Sequence, residues 1–257
     1  MKTKLQGFLI VFALIAFASC KKEDTPTSPG NPDAKLVRIQ QGIDADLTND
    51  TVYLINYNSA GKISSVIDSI YGYIVTASYD ETGKLLSIDD DYGDDASITY
   101  DADGRLSAID FIIAGSKEKY AFEYSNGIIG IMRHYSDHGS GGALSLWRQY
   151  NYTVQQENIV AIYEYTAGGS LVSTKEFTYG TEPNNFKQLA LFNTANRLGS
   201  ERIISIESYF NKNMAKSISS ENSIVNNTYT INPNQQLSKA VSTEDGGYIY
   251  TWLFKYE

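Results

Sequence analysis

Cysteine, histidine and proline are scarce: one, two and five residues in a chain of 257. The lone cysteine, Cys20, falls in an N-terminal leader region, so the remainder has no thiol for catalysis, zinc-thiolate binding or a disulfide. Any serine-hydrolase reading must take its base from His134 or His138, and no Gly-x-Ser-x-Gly elbow is there to present a nucleophile. Phosphate loops and dinucleotide fingerprints are equally missing. Cations are in the minority, 21 Lys and Arg against 30 Asp and Glu for a net charge of −9, and no basic stripe offsets this. That balance argues against a nucleic-acid partner. No apolar run is long enough for a membrane-spanning helix, and no helical period of useful length follows residue 35.

What is present begins with a targeting segment. Lys2 and Lys4 precede an apolar run from Phe8 to Phe17, and small residues, Ala18 and Ser19, come directly before Cys20. The arrangement resembles a bacterial lipobox: residues 1–19 form a lipoprotein-type signal peptide, and Cys20 carries the lipid that holds the protein to a membrane. Residues 20–34 hold three of the five prolines and no apolar cluster, which predicts an extended tether. Such a tether reaches at most about 45 to 50 Å. Lys21-Lys22-Glu23-Asp24 resembles the charged export signal of surface-displayed lipoproteins in Bacteroides-type bacteria. The expected address is the outer membrane, at the cell surface or facing the periplasm.

Tyrosine, by contrast, is abundant, with twenty residues, and it recurs in a pattern. Tyr57-Asn58-Ser59-Ala60-Gly61-Lys62-Ile63, Tyr79-Asp80-Glu81-Thr82-Gly83-Lys84-Leu85 and Tyr100-Asp101-Ala102-Asp103-Gly104-Arg105-Leu106 are three copies of one motif. The Asp or Asn side chain bonds backbone two residues on, and the Gly supplies a positive φ, the chemistry of a type I turn closed by a Gly bulge. The tyrosines are 22 and 21 residues apart, room for one hairpin per unit. Looser copies follow at Tyr124 to Gly127, Tyr152 to Ile159, Tyr179 to Phe186, Tyr209 to Met214 and Tyr229 to Leu237. Together they predict about 14 to 16 antiparallel strands in a single all-β domain over residues 35–257.

The strands before the turns alternate. Tyr120, Phe122 and Tyr124 share one face and Lys119, Ala121 and Glu123 the other, while Tyr248, Tyr250, Trp252, Phe254 and Tyr256 form an aromatic stripe. Period two with one polar face reads as a sheet that buries a single side. Past the turns, Leu85 and Ile88, like Leu106 and Ile109, are three apart, so a bulge just after each Gly is needed to bring them to a common side. An open sheet of this size curls or closes. The expected fold is a large antiparallel β-meander curled into a soluble, flattened, barrel-like shell with its aromatic face inward.

The lipobox, the Pro-rich tether and the repeated turns together resemble a domain-of-unknown-function family of Bacteroides-type lipoproteins with a porin-like β fold. The turn motif alone also resembles the YD repeats of Rhs-type shells. The lipoprotein resemblance spans the whole chain and implies a large antiparallel barrel on a lipid anchor. It implies no activity and no functional residues.

Candidate sites are few. Asp89, Asp91, Asp94 and Asp95 lie in an acidic run opposite the Tyr turns, where carboxylates on a Gly-containing loop suit calcium, although the spacing matches no defined calcium loop. His134 and His138 flank a stretch whose glycines predict a loop. Trp147, just past that stretch, with Tyr135 and His134, forms a candidate ligand platform such as a glycan-stacking surface, whereas Trp252 belongs to the core stripe. No cofactor is expected apart from that possible calcium. The functional expectation is a lipid-anchored envelope protein, not an enzyme, that binds a ligand or partner, with a glycan among the candidates. Two alternatives stand beside it: a carbohydrate hydrolase using paired carboxylates, which needs them about 5 Å or 6.5 to 9.5 Å apart, and a structural shell without a small-molecule ligand.

Overall fold

The computed structural model describes residues 34–43, 46–91, 93–113, 115–193 and 205–257, with backbone only for 46–50. The signal peptide, Cys20 and the tether up to residue 33 lie outside the described residues. Sixteen strands, each antiparallel to its neighbours, form one closed barrel. The first eight are β1 (Leu36–Ile43), β2 (Asp46–Tyr57), β3 (Ile63–Asp68), β4 (Ile74–Tyr79), β5 (Leu85–Asp90), β6 (Ala96–Tyr100), β7 (Leu106–Ile113) and β8 (Ser116–Ser125). The rest are β9 (Ile128–Ser136), β10 (Ser145–Gln155), β11 (Asn158–Thr166), β12 (Leu171–Pro183), β13 (Asn213–Ser220), β14 (Ser223–Ile231), β15 (Leu237–Glu244) and β16 (Ile249–Tyr256). β16 pairs with β1, and backbone bonds of 2.8 and 2.9 Å between Lys35 and Glu257 seal the seam. Closure leaves no strand edge open to aggregation.

The three strong motif copies are the β2–β3, β4–β5 and β6–β7 turns. In each, the Asp or Asn side chain accepts the backbone N–H four residues on: Lys62 at 3.0 Å, Lys84 at 2.9 Å and Arg105 at 2.8 Å. Gly61, Gly83 and Gly104 take φ of 76°, 83° and 77°, conformations that cost other residues strain. Just beyond, Tyr57 faces Ile63 while Asn56 faces Ser65, so Ser64 is an extra residue, and Leu86 and Ser107 repeat this in the next two hairpins. The bulge turns Leu85 and Ile88, and likewise Leu106 and Ile109, into buried pairs on one side.

Contacts between copies explain the rest of the motif. The Tyr79 hydroxyl donates to the Ile63 carbonyl at 2.6 Å, and Tyr124 donates to Leu106 at 2.7 Å, so each Tyr is held by the aliphatic residue that ends the preceding copy. Tyr57, Tyr179 and Tyr229 do the same to Leu36, Ile159 and Ala215. The basic residue of one copy lies over the ring of the next, with Lys84 Nζ 5.2 Å from the Tyr100 centroid and Arg105 Cζ 4.7 Å from that of Tyr124. It also covers the next glycine: a Cβ at Gly104 would sit 2.9 Å from Lys84 Nζ. Burial raises the hydroxyl pKa of these tyrosines, that of Tyr79 to about 12, so they remain donors at any physiological pH.

The looser copies divide. Tyr124, Tyr152 and Tyr229 do precede hairpin turns, the first two closed by only two residues, Asn126-Gly127 and Gln156-Glu157 in left-handed conformation. Tyr179 to Phe186 and Tyr209 to Met214 are not hairpin turns. They are the two ends of one long connection from β12 to β13, which carries a short helix, α1 (Lys187–Phe192), and a 3-10 turn over Ile206–Tyr209. This helix corrects the expectation of no helix after residue 35. It is too short to show a period: after Lys187 and Gln188 come four buried apolar residues in a row, Leu189, Ala190, Leu191 and Phe192, with the N-cap Phe186 buried as well.

The described parts of the connection, residues 184–193 and 205–212, lie inside the barrel. Gln188 Nε2 donates to the Tyr79 hydroxyl on β4 at 2.9 Å, Phe186 stacks on Phe254 of β16 at 5.1 Å, and Phe210 meets Phe122 of β8 at 5.4 Å. Strands so far apart around the wall can be touched together only from the lumen. Buried asparagines fasten its ends: Asn211 Oδ1 accepts Ile159 N at 2.8 Å and Asn184 Nδ2 donates to the Ser208 carbonyl at 2.6 Å. Tyr248 departs from the expected stripe, being exposed in the β15–β16 turn, while Trp252 is fully buried.

Candidate functional site

The barrel has two unlike ends. The insertion fills the end where the Tyr turns lie, here called the tyrosine end. At the opposite, distal end β8 to β11 carry charged and polar residues at inward positions. Alternation places Glu118 on the same face as Phe122, His134 with Met132, and Arg148 with Tyr152, all directed into the lumen on β8, β9 and β10. Glu164 on β11 joins them past the bulge that follows Ile159.

These side chains form two linked groups. His134 Nε2 lies 2.7 Å from Glu118 Oε2, and the Ser136 hydroxyl donates to Glu118 Oε1 at 2.8 Å, with Ser116 Oγ 3.0 Å from the same oxygen. Arg148 Nε donates to Glu164 Oε1 at 3.0 Å and Ser173 Oγ to its other oxygen at 2.8 Å. Burial lowers the His134 pKa, against the opposing pull of Glu118, so the ring is neutral at neutral pH. Asp137 pins the β9–β10 loop by accepting Gly139 N at 2.9 Å, Ser116 Oγ at 2.9 Å and Lys117 N at 3.1 Å. Those bonds, the one from Gly139 first, hold its carboxyl below the usual range.

Trp147 stands at the edge of this array. It occupies a bulge between Leu146 and Arg148, which swings the indole out of strict alternation and leaves it 40% exposed. Its ring meets His134 edge-on at 4.9 Å and His138 at 5.9 Å, and the Arg148 guanidinium lies 5.0 Å from its centroid. An exposed ring beside a guanidinium and two carboxylates is suited to binding. Proton transfer is less suited, because Glu118 and Glu164 are both committed as acceptors to fixed donors.

Of the residues singled out in the sequence, His134 and Trp147 come together. Tyr135 does not. It follows His134 in β9 and so points outward, opposite Leu146 and Lys119. His134 itself lies in a strand, with only His138 in the loop. Asp89, Asp91, Asp94 and Asp95 do not converge: Asp89 accepts the Ser87 hydroxyl at 2.8 Å, Asp91 takes Ile74 N at 3.3 Å, and the Asp94 N–H bonds Asp90. Among the described residues no three His, Cys, Asp or Glu side chains are grouped to hold a metal ion. Glu118, Arg148 and Glu164 went unnoticed in the sequence. The signal for Glu118 was there, since it extends the Tyr120, Phe122, Tyr124 stripe by one step and is a charge on the core face.

The outer wall mixes polar cross-strand pairs with exposed apolar side chains: Ser78 and Ser87 pair at 2.8 Å, Thr178 and Ser217 at 2.6 Å, and Lys119 with Asp110 at 3.1 Å, while Leu54, Leu86, Ile112 and Ile224 stand exposed among them. The overall form is shared with known structures. A porin-like protein from Bacteroides uniformis superposes with a TM-score of 0.56 at 15% identity, covering 90% of this chain and 99% of that one. One from Bacteroides vulgatus gives 0.57 at 9% identity, covering 86% and 98%. The barrel is porin-like in fold. At these identities the likeness concerns fold alone. No protein-family model and no curated protein matches the chain.

Proposed function

We propose that this protein is a lipid-anchored component of the bacterial envelope whose distal mouth binds a glycan, without catalysing its cleavage. The lipobox at Cys20 and the Pro-rich tether support the anchor, and the porin-like Bacteroides proteins that share the fold fit the same compartment. The chain enters β1 at the tyrosine end, where Lys35 pairs with Glu257, and a tether attached there would leave the distal mouth free to meet a ligand. Polar cross-strand pairs on the outer wall, Ser78 with Ser87, Thr178 with Ser217 and Lys119 with Asp110, support a barrel that stands in water on its tether.

The observation that carries the reading is Trp147: an exposed indole held by His134, His138 and Arg148 beside two carboxylates, Glu164 ion-paired with Arg148 and Glu118 hydrogen-bonded to His134. A sugar ring presents an apolar face to stack on such a surface and hydroxyls for the guanidinium and carboxylates. Calorimetric titration with envelope and host polysaccharides tests it. Binding by the wild type that is lost in Trp147→Ala is the expected result. Failure of every polysaccharide, or binding that Trp147→Ala leaves intact, removes the glycan site, and a globomycin-insensitive, soluble product in the native host removes the anchor.

A further inference from the structure

The weakest seam in the barrel lies between β5 and β6, and it opens a second site. These strands face each other at two positions only, Ser87 with Ser97 and Ile88 with Ala96. Their outer neighbours stay attached much further: Asp91 N still bonds the Ile74 carbonyl at 3.3 Å and the Asp95 carbonyl still accepts Ile112 N at 2.9 Å. Past those pairs only the turn joins the two strands, with the Asp94 N–H on the Asp90 carboxylate at 2.9 Å and the Gly93 N–H on the Asp90 carbonyl at 3.3 Å, and this sparsely bonded seam leaves a notch in the wall. A cleft of about 350 Å³ occupies it, a size in the range of small-molecule sites.

The lining of the cleft has two parts. Its floor and sides are apolar: Ala96 and Phe111 are buried beneath it, and Ile112 and Leu144 border it with more than a third of their surface exposed. Its rim is anionic. Among the charged residues around it, Asp110 is paired with Lys119, and Glu118 is bonded to His134. Lys117 is the one cation lining it. Asp89 and Asp95 stand on either side of the parted seam, and among the described residues neither has a salt-bridge partner. An apolar floor beneath two unneutralised carboxylates is complementary to an ammonium group on a hydrocarbon stem.

We infer that the β5–β6 notch binds a primary amine carried on an apolar stem, either a free alkylamine or the lysine side chain of a partner. The site adjoins the Trp147 array through Glu118, but its carboxylates, Asp89 and Asp95, and its apolar lining belong to neither Trp147 nor its partners, and it requires no glycan binding.

Titration of the full chain with hexylamine, hexanol, hexanoate and a blocked tripeptide containing one central lysine tests this. Hexylamine or the lysine peptide is expected to bind, with affinity falling as salt rises, and hexanol and hexanoate to bind far more weakly. Preference for the free amine identifies a small-molecule ligand, and preference for the peptide a protein partner. Asp89→Asn with Asp95→Asn should weaken amine binding by about tenfold or more, as loss of charge-assisted bonds does. Both side chains are exposed, so the fold should survive, and an unchanged circular-dichroism melt checks that. Leu144→Ala, which removes one wall, is the second variant and should weaken binding of the stem while leaving the salt dependence. Trp147→Ala should leave amine binding unchanged. Hexylamine and peptide both binding no better than hexanol, or full affinity in the double Asn variant, overturns the inference.

Discussion

At the tyrosine end, β2–β3, β4–β5 and β6–β7 share one turn, one bulge and one set of contacts between copies, whereas at the distal end no two of the connections β3–β4, β5–β6 and β9–β10 are alike. Along β2 to β7 the strands therefore run from a uniform end to a varied one. At the first, each Tyr, Gly and basic residue is occupied by the next copy, and the lumen is filled by the insertion. At the second, charged side chains of β8 to β11 line the lumen, β5 and β6 are sparsely paired, and large apolar residues such as Ile70, Tyr71, Leu144 and Tyr248 stand exposed on the loops, with Trp147 exposed at a bulge of β10. Repetition persists where neighbours constrain each other. Variation gathers where a rigid scaffold presents loops to solvent, which is also where binding sites tend to lie.

Substitutions of matched type at the two ends measure that contrast. The largest effect is expected in the plug: Phe192→Ala empties a fully buried site and should cost about 3–5 kcal/mol in denaturant unfolding. Tyr71→Ala on a distal loop should stay within about 0.5 kcal/mol. A plug variant with wild-type stability would mean that the insertion does not hold the barrel together.

Next comes Tyr79→Phe, which removes the hydroxyl that bonds Ile63 and Gln188 and leaves a carbonyl without its donor. It should lose about 1–3 kcal/mol, against little for the outward-facing Tyr163→Phe. Gly104→Ala and Gly93→Ala both force a methyl into positive φ, which costs roughly 1–2 kcal/mol. Only Gly104 also lies under a lysine from the preceding copy, and nothing stands near a Cβ at Gly93. Gly104→Ala should therefore be the costlier of the two by thermal melting, and equal shifts would mean that the Lys84 contact carries no energy.

The smallest effect concerns pH at the distal end. His134 has its pKa depressed by burial, so the unfolded chain takes up a proton more readily than the folded one. Its contribution to stability is complete above about pH 6.5 and declines as pH falls from there. His134→Gln should flatten the decline between about pH 6.5 and 5. The lowered carboxyls of Asp80, Asp101 and Asp137 have the same sign but act only near pH 4 and below. A wild-type midpoint that is constant from pH 7 to about 5 would contradict the buried, neutral histidine.

Much of this architecture was readable in the chain. The Asp or Asn and the Gly of each strong copy specify a turn through contacts within seven residues, and the three-residue spacing of Leu85 and Ile88 already demanded the bulge. Period two was enough to assign Trp252 to the core and to separate Tyr135 from His134, had it been applied to β9. The insertion was hidden because Phe186 to Phe192 is too short to show a period, and Tyr179 and Tyr209 imitate the motif that the surrounding hairpins use. Arg148 and Glu164 were hidden as a pair because they come from different strands and meet only once the register of β10 against β11 is set.

By itself, the sequence determined the repeated hairpin: its turn, its bulge and the face each strand buries, since all three follow from residues close enough to touch along the chain. Only the tertiary structure decided that the sheet closes, that the β12–β13 connection folds into the lumen, and that β5 and β6 part to leave a cleft. Those outcomes depend on accumulated twist and on contacts between strands far apart in sequence, such as Tyr79 with Gln188 and Phe186 with Phe254, and no local pattern encodes them.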